Sequence, residues 1–145
     1  MRLFIIAMMV TSAISAQIDT QNRLSSDSRQ YFVWNDNSSS YLLQETEFEH
    51  SLIDIREIGS KSSGYIAISL TDNGITRLFH GSIIGFSTNE KKESTWQMRS
   101  KSMKGKLTYN PERNDFTYVY DANEKRYQRI FIFSLKDEQE VSKEN

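Results

Sequence analysis

Nine short segments prone to form β-strands, separated by turn-forming residues, constrain this chain most. Apolar and polar residues alternate in several of them, as expected of strands with one buried face, and no segment has the apolar stripe of a helix. Gly, Asn, Asp and Ser in the connections favour chain reversal. The predicted strands cover residues 30–35, 41–49, 51–58, 64–70, 75–86, 94–101, 105–110, 115–121 and 126–135.

Short connections between successive strands favour a single antiparallel meander of about 8–9 strands. A meander removes its free edges by closing, and about eight strands enclose room for side chains or one small ligand. We therefore predict an all-β domain with a closed or partly closed barrel, and a two-sheet sandwich is the alternative. In architecture this barrel is similar to small lipocalin-like barrels, a likeness that by itself implies no function.

The N-terminal sequence MRLFIIAMMVTSAISA has the order of a secretory signal peptide. The basic Arg2 precedes an apolar run over 3–10, and small residues follow it. The run is shorter than the roughly 20 residues that a spanning helix needs, so we predict no transmembrane segment. We predict a signal peptide over 1–16, with cleavage after Ala16 or Ser15, and an exported protein that is secreted or periplasmic.

The rest of the chain is predicted to have three parts. Residues 17–29 are polar and rich in Ser, which predicts a flexible lead-in. Residues 30–136 hold the predicted strands of the all-β domain, and 137–145 form a polar tail. The chain has no Cys, so strand pairing and packing must stabilise the domain without disulfides.

Charge is nearly balanced overall but unevenly distributed. The net charge of −1 argues against nucleic acid as a partner. Acidic residues, with Glu45, Glu47 and Glu49 in alternation, concentrate within 36–58, whereas basic residues concentrate within 91–106. Two complementary strands lying near each other would explain this asymmetry, and so would a binding face.

The basic segment contains a change of alternation. Trp96 and Met98 are even-numbered, but Leu107 and Tyr109 are odd-numbered, so the chain must reverse or bulge between them. We assign Gly105 to a turn position with positive φ. The cations then crowd a projecting hairpin tip, which is either simply solvated or a weak candidate for a polyanion site; they are Arg99, Lys101, Lys104 and Lys106.

The sequence offers little for catalysis. His50 and His80 are the only histidines, and without Cys the common zinc arrangements are hard to assemble. Neither histidine belongs to a nucleophile elbow, and no phosphate-binding glycine loop is present. We expect His50 to be exposed, His80 to be a hydrogen-bonded sheet residue, and the glutamates of 45–49 to be solvated. The sequence therefore predicts no enzyme and no cofactor.

Two functions remain as expectations. The first is a non-catalytic binding module for a small apolar or amphipathic ligand or a protein partner. The second is a structural or surface-interaction protein without a pocket. An empty barrel interior would favour the first, and a filled interior would favour the second.

Overall fold

A computed structural model describes residues 19–101, 103–122 and 128–135. These residues form nine antiparallel strands and no helix. The strands are β1 (Asp19–Asn35), β2 (Ser40–Glu47), β3 (Ser51–Ile58), β4 (Ser60–Asp72), β5 (Ile75–Thr88), β6 (Ser94–Arg99), β7 (Met103–Asn110), β8 (Asp115–Ala122) and β9 (Gln128–Leu135). The predicted signal peptide over 1–16 and the predicted tail over 137–145 lie outside the described residues.

The strands close into a barrel, which confirms the predicted fold and makes the sandwich alternative wrong. Eight strands form the wall in the order β1-β3-β4-β5-β6-β7-β8-β9, and β9 pairs with β1 to complete it. The remaining strand, β2, pairs with β1. The Asp72–Asn73–Gly74 hairpin is confirmed, with Asn73 and Gly74 at φ of 50° and 78°, as tight hairpin turns require.

The prediction of a flexible lead-in over 17–29 is wrong for residues 19–29, which belong to β1. Residues 19–26 pair with β3, and residues 26–33 pair with β9 at the other edge of the strand. Backbone hydrogen bonds hold this segment, and a polar sequence makes them as well as an apolar one does. The side chains of residues 19–23 are exposed, so no apolar alternation marked the strand.

Large side chains fill the barrel interior. Phe79 on β5 and Phe131 on β9 are opposite each other in the strand order, and their ring centroids are 5.9 Å apart. The Phe79 ring also lies 4.9 Å from that of Tyr120 on β8. At this level the rings span the barrel, so side chains occupy the space that a ligand would need. The buried apolar residues are Ile53, Ile55, Ile66, Ile68, Leu70, Ile83, Trp96, Met98, Leu107, Phe116, Tyr118, Tyr120, Phe131 and Phe133.

The β6–β7 hairpin reverses as predicted, but the position assigned to Gly105 is wrong. The reversal lies between Arg99 and Met103, and the Ser100 amide donates to the Met103 carbonyl at 2.9 Å. Gly105 lies within β7 opposite Met98. It is constrained by packing, because a Cβ there would stand 2.8 Å from Cε2 of Tyr118. Unlike Gly105, Gly64 on β4 does have a positive φ, of 137°, and a Cβ there would meet the Arg56 carbonyl oxygen at 1.9 Å.

A buried arginine joins four strands at one end of the barrel. Arg29 on β1 is only 1% exposed. Its guanidinium donates to the Glu47 carboxylate on β2, to Ser51 Oγ on β3 at 3.0 Å, and to the Thr71 carbonyl on β4. The expectation that the glutamates of 45–49 are all solvated is therefore wrong for Glu47, whose carboxylate compensates a buried charge.

Candidate functional site

The four cations singled out from the sequence lie together on the outside of the β6–β7 hairpin. Arg99 and Lys104 are cross-strand partners, Lys101 is in the turn, and Lys106 follows Lys104 along β7. All four side chains are exposed. Within the described ranges none of them forms an ion pair with a carboxylate. We call these four residues the outer cations, and their role in binding stays a prediction.

A shallow cleft of about 460 Å³ adjoins the outer cations. Lys104 and Lys106 line it together with the apolar side chains of Ile84 and Val119. Asp121 also lines the cleft and is the cross-strand partner of Lys104. This carboxylate offsets part of the positive potential, so the cleft is a modest anion site at best.

A second group of polar side chains lies at the barrel end that contains the 73–74 turn between β4 and β5, and we call this end the upper rim. Tyr120 is 3% exposed, and its hydroxyl makes no hydrogen bond of normal geometry with any described residue. Burial raises the pKa of the Tyr120 phenol, and the nearby Arg129 acts in the opposite direction, as does Arg77 more weakly. The hydroxyl is therefore a buried donor close to two cations.

The two arginines of the upper rim come from strands on opposite sides of the barrel. Arg77 on β5 lies with its Cζ 5.5 Å from the ring centroid of Phe79, and its Nη1 is 3.7 Å from an oxygen of Asp72. Arg129 on β9 is exposed, and its polar interaction with Tyr120 raises its pKa. Arg129 is the cross-strand partner of Tyr120. Arg77 lies over Phe79, whose ring is in turn next to that of Tyr120, so the two guanidinium groups flank this pair of rings.

Aromatic rings form the floor beneath these polar groups. Tyr31 on β1 stacks on Phe131 with ring centroids 4.8 Å apart. Tyr120 is nearly parallel to Phe131, at an interplanar angle of 6°. Tyr31 and Phe79 are only partly buried, so the rim presents an apolar surface beside its guanidinium groups.

A two-stranded extension continues the inner wall beyond the upper rim; it comprises residues 29–35 of β1 with β2. Tyr31 pairs with Glu45, and Val33 pairs with Leu42. Because paired residues share a face, these side chains continue the inward-facing side that begins at Arg29. Leu42 is 40% exposed, so this face is incompletely covered.

The extension also corrects a prediction about the acidic segment. A regular strand over the predicted range 41–49 would place Leu42 on the face opposite Glu45 and Glu47. The register shifts at Gln44, because Phe32 pairs with Leu43 but Tyr31 pairs with Glu45. This bulge puts Leu42, Glu45 and Glu47 on the same face.

The histidines occupy the surroundings that the sequence predicts. His50 is exposed, with Nδ1 3.6 Å from an Asp27 oxygen, and His80 Nδ1 forms a hydrogen bond with the Tyr65 hydroxyl on the outer wall. Over residues 19–101, 103–122 and 128–135, no group of three His, Asp or Glu residues is placed to hold a metal ion. In the same ranges, no helix is long and apolar enough to cross a membrane.

The upper rim was not predicted from the sequence, although the sequence contains a signal for it in the alternation of two strands. Arg77 shares its parity with the inward-facing Phe79, and Arg129 shares its parity with Phe131. A charged residue in the inward-facing register is expected only near the open end of a barrel strand. The alternation alone does not reveal that both arginines lie near Tyr120, because that depends on which strands become neighbours.

Comparison of the chain with protein-family models, with curated proteins and with solved structures gives no match. The function must therefore be inferred from the geometry of the molecule itself.

Proposed function

We propose that this domain is a non-catalytic binding module that holds a small amphipathic ligand at the upper rim, against the inner face of the extension. The observation that carries the proposal is the incompletely covered pair Val33 and Leu42, which continues the inner wall past the filled core. Partly exposed apolar side chains beside a few convergent polar groups are typical of small-molecule sites.

Because side chains fill the core, the upper rim is a better candidate for the ligand-binding site than the barrel interior. The rings of Phe79, Tyr120 and Phe131 meet across the barrel at the level just below the rim. A ligand entering the interior would have to displace these close-packed rings, which is costly. The same observation favours the second candidate, a surface-interaction protein, because it removes the large internal cavity.

The open edge of β2 is the specific feature that favours the second candidate. Among the described strands, β2 is paired along one edge only, and Leu43 and Phe48 are 49% and 80% exposed. An extended partner segment could add to such an edge. The bulge at Gln44 and the flanking Glu45 and Glu47 are devices that discourage strand addition, so we place this candidate second.

Two leucines of β2 provide a matched test. Leu42 lies on the inner face of the extension and Leu43 on its outer face, with similar exposure. We expect calorimetric titration of the protein with 1-decanol to show binding that Leu42→Ser weakens and Leu43→Ser leaves unchanged. No binding of decanol, or a larger loss for Leu43→Ser, would contradict the proposal.

A further inference from the structure

We propose that Arg77, Arg129 and the hydroxyl of Tyr120 form a carboxylate-binding site, which takes the head group of an amphipathic ligand. This inference rests on the proposed function, because the apolar part of the same ligand would lie on the inner face of the extension. It adds the ligand's charge and the residues that recognise it.

The chemistry that the upper rim lacks is a hydrogen-bond acceptor. The Tyr120 hydroxyl is buried with no acceptor for its proton among the described residues, and leaving a buried donor unpaired is costly. The arginines beside it cannot satisfy its proton, because a guanidinium group offers only donors. An incoming oxygen would accept from the hydroxyl and from both guanidinium groups at once.

A carboxylate is the acceptor that suits this arrangement best. It carries a full negative charge, and its two oxygens can each accept from a planar guanidinium group. Arg77 and Arg129 supply two positive charges, and charge-assisted hydrogen bonds are shorter and stronger than neutral ones. The partly buried rings of Phe79 and Tyr31 adjoin the site and suit the first carbons of an apolar chain.

Two acids near the upper rim, Asp72 and Glu45, would repel the carboxylate of the ligand, and this repulsion can be tested by substitution. Asp72 already lies 3.7 Å from Arg77, but both side chains are substantially exposed, so their ion pair is weak. Glu45 lies on the same face of the extension as Tyr31. A ligand carboxylate must displace Asp72 and tolerate Glu45, so Asp72→Asn should strengthen its binding.

The outer cations provide the matched control. Arg99 and Lys104 are cross-strand neighbours and carry the same total charge as Arg77 and Arg129. Arg99 and Lys104 are exposed on the outer face of the hairpin, whereas Arg77 and Arg129 share the parity of the inward-facing Phe79 and Phe131. Tyr120 is also among the residues that line the cleft beside the outer cations, so this control decides which pair of cations holds the anion. A double substitution at either pair changes the net charge by the same amount. A difference in ligand affinity between the two variants therefore depends on the position of the charges and not on the net charge.

The test compares decanoate with 1-decanol, which share a carbon chain and differ in the head group, by calorimetric titration of the full chain. We expect decanoate to bind at least about tenfold more tightly than decanol, as expected for hydrogen bonds to a charged group. Tyr120→Phe should weaken decanoate about tenfold and weaken decanol less, because the hydrogen bond to a charged acceptor is the stronger one. Arg77→Gln with Arg129→Gln should abolish the preference for decanoate, and Arg99→Gln with Lys104→Gln should retain it.

The outcomes separate this inference from the proposed function. Equal affinity for decanoate and decanol would overturn the carboxylate site and leave the apolar site standing. Absence of binding by either compound would overturn both. Loss of the preference in the Arg99→Gln and Lys104→Gln variant would place the anion at the outer cations and contradict the inference. If Tyr120→Phe fails to fold, the partly exposed Arg77→Gln alone decides between the same results.

Discussion

Two groups of cations, the outer cations and the arginines of the upper rim, differ in their spacing along the sequence and in the side chains that surround them. The outer cations are near one another in sequence and lie on exposed faces of one hairpin. Arg77 and Arg129 are distant in sequence, yet Arg129 is the cross-strand partner of Tyr120, and Arg77 lies over Phe79, whose ring neighbours that of Tyr120. A run of charges in a sequence thus marks a solvated surface more readily than a site, whereas convergence on a buried polar group points to binding.

A third cation, Arg29, sharpens the comparison because it is buried and fully paired. We expect Arg29→Met to destabilise the protein by about 3–5 kcal/mol, since it leaves Glu47 facing a buried site without its partner. Arg23→Met is the control, because the Arg23–Asp54 pair is 3.4 Å long with the arginine side chain 67% exposed. That control should cost less than about 1 kcal/mol. Denaturant unfolding measures both, and similar losses would contradict the role assigned to Arg29.

A glycine comparison tests the packing beneath the outer cations. We expect Gly64→Ala to cost about 3 kcal/mol, because its φ is 137° and its Cβ would overlap the Arg56 carbonyl. Gly105→Ala should cost about 1–2 kcal/mol, since the Tyr118 ring at 2.8 Å can shift.

Gly85→Ala is the control for these two changes, because the nearest atom to its Cβ would be a flexible Gln97 oxygen at 3.5 Å. Denaturant midpoints compare the three variants. A larger loss of stability for Gly105→Ala than for Gly64→Ala would contradict this assignment and favour the sequence-based prediction that Gly105 has the positive φ.

The buried phenols predict sensitivity to alkali. Burial raises the pKa of Tyr118 well above its usual value, and the neighbouring Tyr120 raises it further. A phenol kept neutral in the folded state stabilises the protein fully below the unfolded pKa of about 10, and this contribution is lost as the pH rises above it. We expect Tyr118→Phe to move the alkaline unfolding midpoint, followed by circular dichroism, to higher pH. An unchanged midpoint would assign alkaline unfolding to other groups.

Removing the two rim arginines should affect binding far more than stability. We expect Arg77→Gln with Arg129→Gln to change the unfolding free energy by less than about 1 kcal/mol. Arg129 is exposed, and solvent reaches both side chains of the Arg77–Asp72 pair, so their ion pair contributes little. Thermal and denaturant unfolding check this value. A loss of several kcal/mol would show that the pair holds the barrel end together instead of serving a ligand.

The smallest effect is expected from the outer cations. Changing Arg99, Lys101, Lys104 and Lys106 together to Gln should alter the unfolding free energy by less than about 1 kcal/mol, because exposed charges contribute little. Binding to heparin should be equally weak in the variant and the wild type. Salt-sensitive heparin binding of the wild type that disappears in the variant would instead make the outer cations a polyanion site.

Local features of the molecule could be read from the sequence. Alternation within segments such as 51–58 predicts strands, and Asn73–Gly74 predicts a tight hairpin because both residues accept positive φ. The change of parity between Met98 and Leu107 predicts a reversal, which occurs between Arg99 and Met103. Each of these depends on neighbouring residues of the chain alone.

The tertiary structure decided the features that depend on which strands become neighbours. Residues 19–26 are a strand because β3 offers a partner, although their side chains give no sign of it. The Tyr118 ring on the adjacent strand leaves room only for a glycine at position 105. The bulge at Gln44 places Glu45 on the same face as Leu42. Arg129 lies beside Tyr120 because β8 pairs with β9, and Arg77 reaches the same group of rings because β5 lies across the closed barrel. The sequence determined periods and turns, since these arise over a few residues, whereas register and convergence depend on contacts between distant segments.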